Sequence, residues 1–357
     1  MPHALLDSIE DLIDTRLLSS IAGCSVTSVF TRDLVADFAK SGSSLLVVET
    51  NEGRGPRFVL KRVNIEHDWL MRATDDTRCR SVTLWQSGLF DLLPERIEHG
   101  VLACAHDGNG YAILMRDVGA SLLANRRFRE EQNRLFLDVM AEMHACFLDD
   151  PQLDSTELGL CEMRHVYEMF SLRTGAREIA GIDEVPKRIV EGWEMVRRVV
   201  APDVVAIVET LLQDCTPLCD ALSRYPQTLV HGDFRHSNQG IISDRRVVLL
   251  DWQLATKAPP SVELGRYLGA NSALLPGTKE ETLALYRHRL QHFLGSRFDP
   301  RWWTPQLDLG LLGGFVQDGW AIALKATSWH VGAAARDHWE IDLRWWTERV
   351  RAAVDLL

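Results

Sequence analysis

The chain has 357 residues, 46% of them hydrophobic and 25% charged, with 39 Lys and Arg against 50 Asp and Glu and a formal net charge of -11. Such a composition excludes wholesale disorder and is long enough to bury a sizeable core. It disfavours general nucleic-acid binding, which needs clustered cations, and attachment to an anionic membrane surface.

The opening MPHALLDSIEDLID has no basic region and no long apolar core, so it does not read as a secretory signal. Residues 5–20 carry helical apolar spacing. Short strand-like runs follow at Leu34 to Ala39, Leu45 to Thr50, Arg57 to Val63, Val101 to His106 and Tyr111 to Arg116. The turn-rich stretches AKSGSS, TNEGRGP and HDGNG separate them, and HDGNG predicts a hairpin. One helix is expected over Thr77 to Leu92, with Val82, Trp85, Leu89 and Leu92 on its apolar stripe. Beyond about Ser121 helical patterns prevail: Glu131 to Leu148, Val185 to Val200, Asp203 to Leu222, Lys279 to Leu294, Leu307 to Ala326 and Asp337 to Leu356. A single β-like island, Thr228 to Leu250, interrupts them. The plan is α+β, with a small β-rich lobe over 1–116 and a larger, mainly helical lobe over 117–357. Leu309 to Leu324 is interrupted by Gln317 and Asp318 and reads as a buried helix, not a membrane span. Seven scattered cysteines, an odd number, read as reduced thiols and point to a cytoplasmic protein.

The island carries the chemistry. It reads Leu229-Val-His-Gly-Asp-Phe-Arg-His-Ser-Asn, and later Leu249-Leu-Asp-Trp-Gln. Its polar skeleton is His231, Asp233, Asn238 and Asp251. Two short apolar runs, Gly240 to Ile242 and Val247 to Leu250, flank the turn Ser243-Asp244-Arg245. A hairpin there returns Asn238 to the side of Asp251. Two oxygen ligands then converge, which suits a hard cation such as Mg²⁺ that completes its shell with phosphate and water. Asp233, in the same loop, is placed to meet an attacking hydroxyl. This is the layout of kinase-type phosphoryl transfer.

HGDFRHSN followed by LLDWQ resembles the aminoglycoside phosphotransferase and choline kinase-like family, and differs from the HRD and DFG of protein kinases. The resemblance covers most of the chain as a plan, but only this segment is highly specific. It implies a bilobal protein-kinase-like fold and transfer of the γ-phosphate of ATP or GTP to a small-molecule hydroxyl. Carried over, Asp233 is the catalytic Asp, Asn238 and Asp251 are Mg²⁺ ligands, and His231 props the loop. Such a lobe needs a strand lysine for the α/β-phosphates. Lys61 in Phe58-Val-Leu-Lys61 fits, with Val59 on the same strand face to roof the adenine. Ser41, Gly42 and Ser43 form the candidate phosphate loop. Arg116 and Val118 fall at the hinge, where their backbone groups would read adenine.

The sequence departs from the family in two places. The helix over Thr77 to Leu92 has no Glu in its body to pair with Lys61, leaving Glu66, Asp75 or Asp76 as substitutes. Where the family has Asp-Leu-Ala, this chain has Glu263-Leu-Gly265, and Glu263 is expected to anchor the helix that it opens. His144 reads as a packed core histidine, and His236 as a candidate substrate contact. The tryptophans at 302, 303, 320, 329, 339, 345 and 346 invite comparison with a cation–π box, although such spacing on helices usually means core. The acidic stretch Asp149 to Phe170 points to a cationic acceptor, aminoglycoside-like or an amino alcohol. A sugar or other metabolite alcohol is the alternative acceptor. A catalytically silent nucleotide-binding or scaffolding protein is the alternative of another class.

Overall fold

Apolar and polar residues alternate over Arg57–Val63, and burial follows the alternation: Phe58 and Leu60 are buried, while Val59 and Lys61 are half-buried on the opposite face. This strand lies at the centre of an antiparallel sheet. The structure is a computed structural model that describes residues 3–34, 41–181, 183–243, 245–329 and 333–357, without the side chains of 333–335.

The chain opens with α1 (Ile9–Leu12) and α2 (Thr15–Ala22). The single helix expected over 5–20 is two, because Asp14 leaves the helical conformation and accepts hydrogen bonds from the N–H groups of Arg16 and Leu17 as a new N-cap. Strands β1 (Val29–Asp33), β2 (Ser44–Thr50) and β3 (Arg57–Val63) follow, then helices α3 (Trp69–Ala73) and α4 (Arg80–Ser87). The short β4 (Ile97–Glu98) precedes β5 (Val101–Asp107) and β6 (Gly110–Arg116). Sheet order is β1-β2-β3-β6-β5, and Asp107 pairs with Gly110 across the expected hairpin. The run Leu34 to Ala39 falls, apart from Leu34, outside the described residues, and the edge strand is instead Val29–Asp33. Leu12 and Leu18 pack with Phe58, Leu60 and Leu114, so the two leading helices cover one sheet face and leave the Lys61 face turned the other way. Helix α4 is shorter than its apolar stripe because Gly88, at φ 80°, ends it.

The helical part comprises α5 (Glu130–Cys146), α6 (Met163–Glu168), α7 (Leu172–Glu178), α8 (Glu184–Val199), α9 (Pro202–Gln213) and α10 (Thr216–Ser223). The helix expected over 203–222 is split at Asp214, whose carboxylate accepts the Thr216 N–H, with Pro217 in the first turn of the second piece. The β-like island follows as β7 (Thr228–Val230), β8 (Gln239–Ile241) and β9 (Val247–Leu249). Then come β10 (Thr256–Ala258), α11 (Pro260–Asn271), α12 (Lys279–Leu294), α13 (Pro300–Thr327) and α14 (Ala333–Ala353). The mixed α+β architecture is therefore as expected: a sheet-based N-terminal region and a mainly helical C-terminal part. The seven cysteines are free thiols, and no helix among the described residues is long and apolar enough to cross a membrane.

Helix α13 is the axis of the C-terminal part, packed against α8, α11 and α14. Its close approach to α11 depends on glycine. A Cβ on Gly265 would lie 2.4 Å from the Gly310 carbonyl oxygen and 3.1 Å from the Gly314 Cα. Those contacts are to backbone, so a side chain cannot simply rotate away. Gly265→Ala is therefore expected to destabilise the protein by about 1–3 kcal/mol through overpacking. Equilibrium denaturation measures this, and an unchanged midpoint would contradict the packing described.

Candidate active site

Strand β7 delivers the chain into the loop 231–238, and β10 holds β7 from the side through the pair Val230 and Thr256. Gly232 sits at φ 81°, and a Cβ there would lie 2.3 Å from the Leu254 carbonyl oxygen. Glycine is thus required on both conformational and steric grounds. Glu263, fully buried in the first turn of α11, grips this loop. It accepts the His231 N–H at 2.6 Å and the Gly232 N–H at 3.1 Å. The expectation that Glu263 anchors its own helix is corrected: its carboxylate points back to the loop and satisfies two backbone donors that burial would otherwise orphan. The buried His231 accepts the Asp233 N–H through Nδ1 at 3.2 Å, and its Nε2 donates to the Leu250 carbonyl at 3.1 Å. It joins the loop at Asp233 to the strand end at Leu250. His144 is a core residue, bonded to the Tyr286 hydroxyl and 3.8 Å from Glu263.

The expected hairpin forms. Gln239 pairs with Leu249 in β8 and β9, and the Leu250 N–H donates to the Asn238 carbonyl at 2.8 Å. Asn238 and Asp251 therefore flank one end of the same strand pair. Asp251 adopts a left-handed conformation at φ 64°, ψ 69°, which is uncommon for a non-glycine residue. Such conformations cost about 1–3 kcal/mol and persist where the surroundings dictate them, often at functional sites.

Both oxygens of Asp233 are engaged. Oδ1 accepts from Arg266 Nη2 at 2.8 Å and Nε at 3.1 Å. Oδ2 accepts from Asn238 Nδ2 at 2.7 Å and is ion-paired with Arg235 Nε at 3.0 Å. Burial alone would raise the Asp233 pKa, but the Arg235 and Arg266 guanidinium groups outweigh it and hold the carboxyl well below the usual carboxylate range. Arg266 also bonds Asp318 on α13. Neither Arg266 nor Asp318 stands out by motif. The available signal was physical: a carboxylate inside the apolar run Leu309 to Leu324 must find a cation.

Lys61 reaches across to this loop. Its Nζ donates to Asp251 Oδ1 at 2.9 Å. Burial would lower the Lys61 pKa, but Asp251 and then Asp68 more than offset it and keep the amine above its ordinary value. Glu66, Asp75 and Asp76 make no bond to Lys61. Asp76 instead caps α4 by accepting the Arg80 N–H at 2.8 Å. Asp68, fully buried at the N-cap of α3, is the further carboxylate acting on Lys61. Helix α4 meets the metal-motif loop through the buried Arg80, whose guanidinium bonds the Gln253 and Gly159 carbonyls.

The other N-terminal candidates are placed less freely than expected. Ser41 donates its hydroxyl to Asp68 at 2.9 Å, and its carbonyl accepts the Trp69 N–H at 3.0 Å. Gly42, at φ 100°, lies so close to the His67 carbonyl that a Cβ would overlap it. These two residues are built into the start of α3, with the half-buried Ser43 beside them. Lys40 lies outside the described residues. At the hinge, the Arg116 N–H is already donated to Gly100 at 2.8 Å, and the Val118 carbonyl accepts from Ser121 at 2.8 Å. The Val118 N–H has no hydrogen-bond partner among the described residues and is the donor left for a ligand.

Two oxygens fit a hard cation. Asn238 Oδ1 has only a 3.4 Å contact from the Ser237 hydroxyl, and Asp251 Oδ2 accepts no hydrogen bond among the described residues. Among those residues no group of three or more His, Cys, Asp and Glu is gathered as a metal site. Two protein oxygens plus phosphate and water is the pattern that Mg²⁺ uses.

Beside Asp233 opens a cavity of about 590 Å³ lined by Arg235, His236, Arg266, Asp318, Trp320 and Lys325, among others. His236 lines this cavity, its backbone N–H fixed by Asn271 at 2.9 Å. Of the acidic stretch 149–170 only Phe170 reaches this wall. Asp154 pairs with Lys257, Glu162 with Arg164 and Glu168 with Arg173. Nor do the tryptophans form a single box: Trp303 and Trp346 are core residues away from the cavity lining, Trp339 is buried behind Lys325, and Trp320 and Trp329 line the cavity. A separate cavity of about 400 Å³ between α7, α8 and α9 includes none of these candidate residues.

With this geometry in place, comparisons with known proteins become informative. The model of the phosphotransferase enzyme family matches residues 36–305. No curated protein matches the chain. Among solved structures, an ethanolamine kinase from Plasmodium vivax is similar at a TM-score of 0.53 and 13% identity, covering 97% of this chain and 86% of that one. A choline kinase from Streptococcus pneumoniae matches at a TM-score of 0.49 and 10% identity, over 96% and 99% of the two chains. An aminoglycoside phosphotransferase from Alicyclobacillus acidocaldarius matches at 0.44 and 15%, over 93% and 91%. The family match spans strands β2, β3, β5 and β6 of the sheet, the HGD loop and the hairpin that carries Asp251, and the chain belongs to the phosphotransferase enzyme family.

Proposed function

We propose that this protein transfers the terminal phosphoryl group of ATP or GTP to a hydroxyl of a small molecule, with Mg²⁺ as cofactor. The observation that carries this reading is that Lys61 bonds Asp251 across 190 positions in sequence, while Asn238 bonds Asp233 and its carbonyl takes the Leu250 N–H beside Asp251. Residues 1–116 supply the nucleotide side, with Val59 under the adenine, Lys61 on the α/β-phosphates and the Ser41–Ser43 turn nearby, and the Val118 N–H just beyond them meets the adenine edge. Residues 117–357 supply the catalytic loop, the metal site and the acceptor cavity.

Asn238 and Asp251 would hold the cation, which when bound supplies positive charge to the β- and γ-phosphate oxygens. Asp233 orients the acceptor hydroxyl. The hydroxyl oxygen forms the new bond to γ-phosphorus, the bond from γ-phosphorus to the β-bridging oxygen breaks, the nucleoside diphosphate leaves, and the hydroxyl proton passes to an Asp233 oxygen. A carboxyl held well below its usual range is a weak base. Asp233 therefore acts chiefly by orientation, and takes the proton late. This suits a loose transition state in which positioning and electrostatics dominate.

Asp233→Ala is expected to lower turnover at least about a hundredfold, the scale of losing one well-placed charge-stabilising group, with nucleotide affinity little changed. Steady-state ADP release with an active acceptor checks this, and near wild-type turnover would sink the assignment. Calorimetry with ATP and GTP, with and without Mg²⁺, tests the nucleotide site directly. Wild type should bind one or both only with Mg²⁺, and Asp251→Ala should lose that binding. Absence of binding at millimolar nucleotide would favour the scaffolding alternative.

A further inference from the structure

The cavity beside Asp233 keeps one lysine without a paired carboxylate among the described residues. Arg266 is shared by Asp233 and Asp318, and Arg235 is paired with Asp233. Lys325, in the last turn of α13, has no hydrogen-bond or ion-pair partner among the described residues. The two carboxylates that act on it, Asp318 and Asp342, are each bonded to another cation, Arg266 and Lys279. Arg235, Arg266, Lys279 and Lys325 thus share only Asp233, Asp318 and Asp342. Two further carboxylates, Asp183 and Glu184, belong to the cavity wall at the start of α8, where Glu184 is exposed to solvent.

The Lys325 amine is held by aromatic faces. Its Nζ lies 4.3 Å from the Trp339 ring centroid and 5.9 Å from that of Trp329. These are the faces that a quaternary ammonium acceptor would need, and the protein's own lysine takes them. Burial pushes the amine's pKa down by more than Asp318 and Asp342 raise it. Arg235 and Arg266 add to the cost of a charge there. A cation kept at such a place, half-buried and beside like charges, is satisfied by an incoming anion.

We propose that the acceptor carries an anionic group, a carboxylate or a phosphate ester, bound by Lys325 with Arg235 while the acceptor hydroxyl faces Asp233. The hydroxyl's fate rests on the phosphotransferase reading above; the anion site does not.

A matched hexose set tests the idea: glucose, glucosamine, glucuronate and glucose 6-phosphate differ in charge on one ring. Binding of each is measured by calorimetry to wild type, Lys325→Met and Lys325→Arg, without nucleotide. At least one anionic hexose should bind wild type about tenfold or more tighter than glucose, the scale of one charge-assisted hydrogen bond. Whether glucuronate or glucose 6-phosphate gains tells carboxylate from phosphate recognition. The gain should vanish in Lys325→Met and return in part in Lys325→Arg, whereas a merely structural lysine would shift all four ligands alike. Equal binding of the four, preference for glucosamine, or no binding of either anion at about 10 mM overturns the proposal. ADP release is then measured for each hexose with Mg²⁺ and ATP. Anion binding through Lys325 without ADP release from any hexose leaves the anion site standing and counts against phosphoryl transfer. ADP release confined to glucose or glucosamine leaves phosphoryl transfer standing and overturns the anion site.

Discussion

Much of the C-terminal part is organised by one buried guanidinium. Arg266 of α11 bonds Asp233 on the catalytic loop and Asp318 on α13, with each of the three side chains less than a tenth exposed. Ions so far from water lose several kcal/mol of solvation each, and only close geometry and complete hydrogen bonding recover it. The same helix pair crosses closely through glycines, with Gly265 lying against Gly310 and Gly314. The buried guanidinium also fixes the catalytic loop from a second side. Glu263, one turn earlier on the same helix, holds the loop backbone, and Arg266 holds its carboxylate. A single helical face therefore sets both the path of the loop and the orientation of Asp233.

This division of labour decides what was legible in the sequence. His231, Asp233, Asn238 and Asp251 lie within one short segment whose hairpin brings them together, so their spacing alone carried the reading. Lys61 was legible for a similar reason, since strand alternation separates its face from that of Phe58 and Leu60. Among the residues that support them, Glu263 was singled out without its partner, and Arg266 and Asp318 were not singled out. Arg266 and Asp318 are joined across 52 positions, and Glu263 meets the loop across 32. No local pattern encodes such pairs. Helix breaks at Asp14 and Asp214 were missed because apolar periodicity ran through them, although each residue is a strong capping type.

The absent glutamate in the N-terminal helix has a structural answer as well. A Lys–Glu pair would tie α4 to β3. Here that tie is divided: Lys61 is held by Asp251 and acted on by Asp68, while Arg80 fixes α4 to the carbonyls of Gln253 and Gly159. The helix is thus joined directly to the segment that follows Asp251. A cation has moved from strand to helix, and its anchor from a side chain to backbone carbonyls. The link between the sheet region and the segment around Asp251 survives without the glutamate.

Charge balance across the Lys61–Asp251 pair connects nucleotide and metal. As it stands the pair is neutral, with a 2.9 Å contact and the lysine side chain only 12% exposed. Under the proposed reading, a triphosphate that drew Lys61 onto its oxygens would leave the Asp251 carboxylate without its counter-ion, in a partly buried site where Asp68 is a further carboxylate. An uncompensated carboxylate there is costly, and a triphosphate is itself strongly anionic. Under the proposed reading, Asp251 and Asn238 would hold a divalent cation, which would supply the charge that both demands call for. Lys61 alone cannot serve two anions at once.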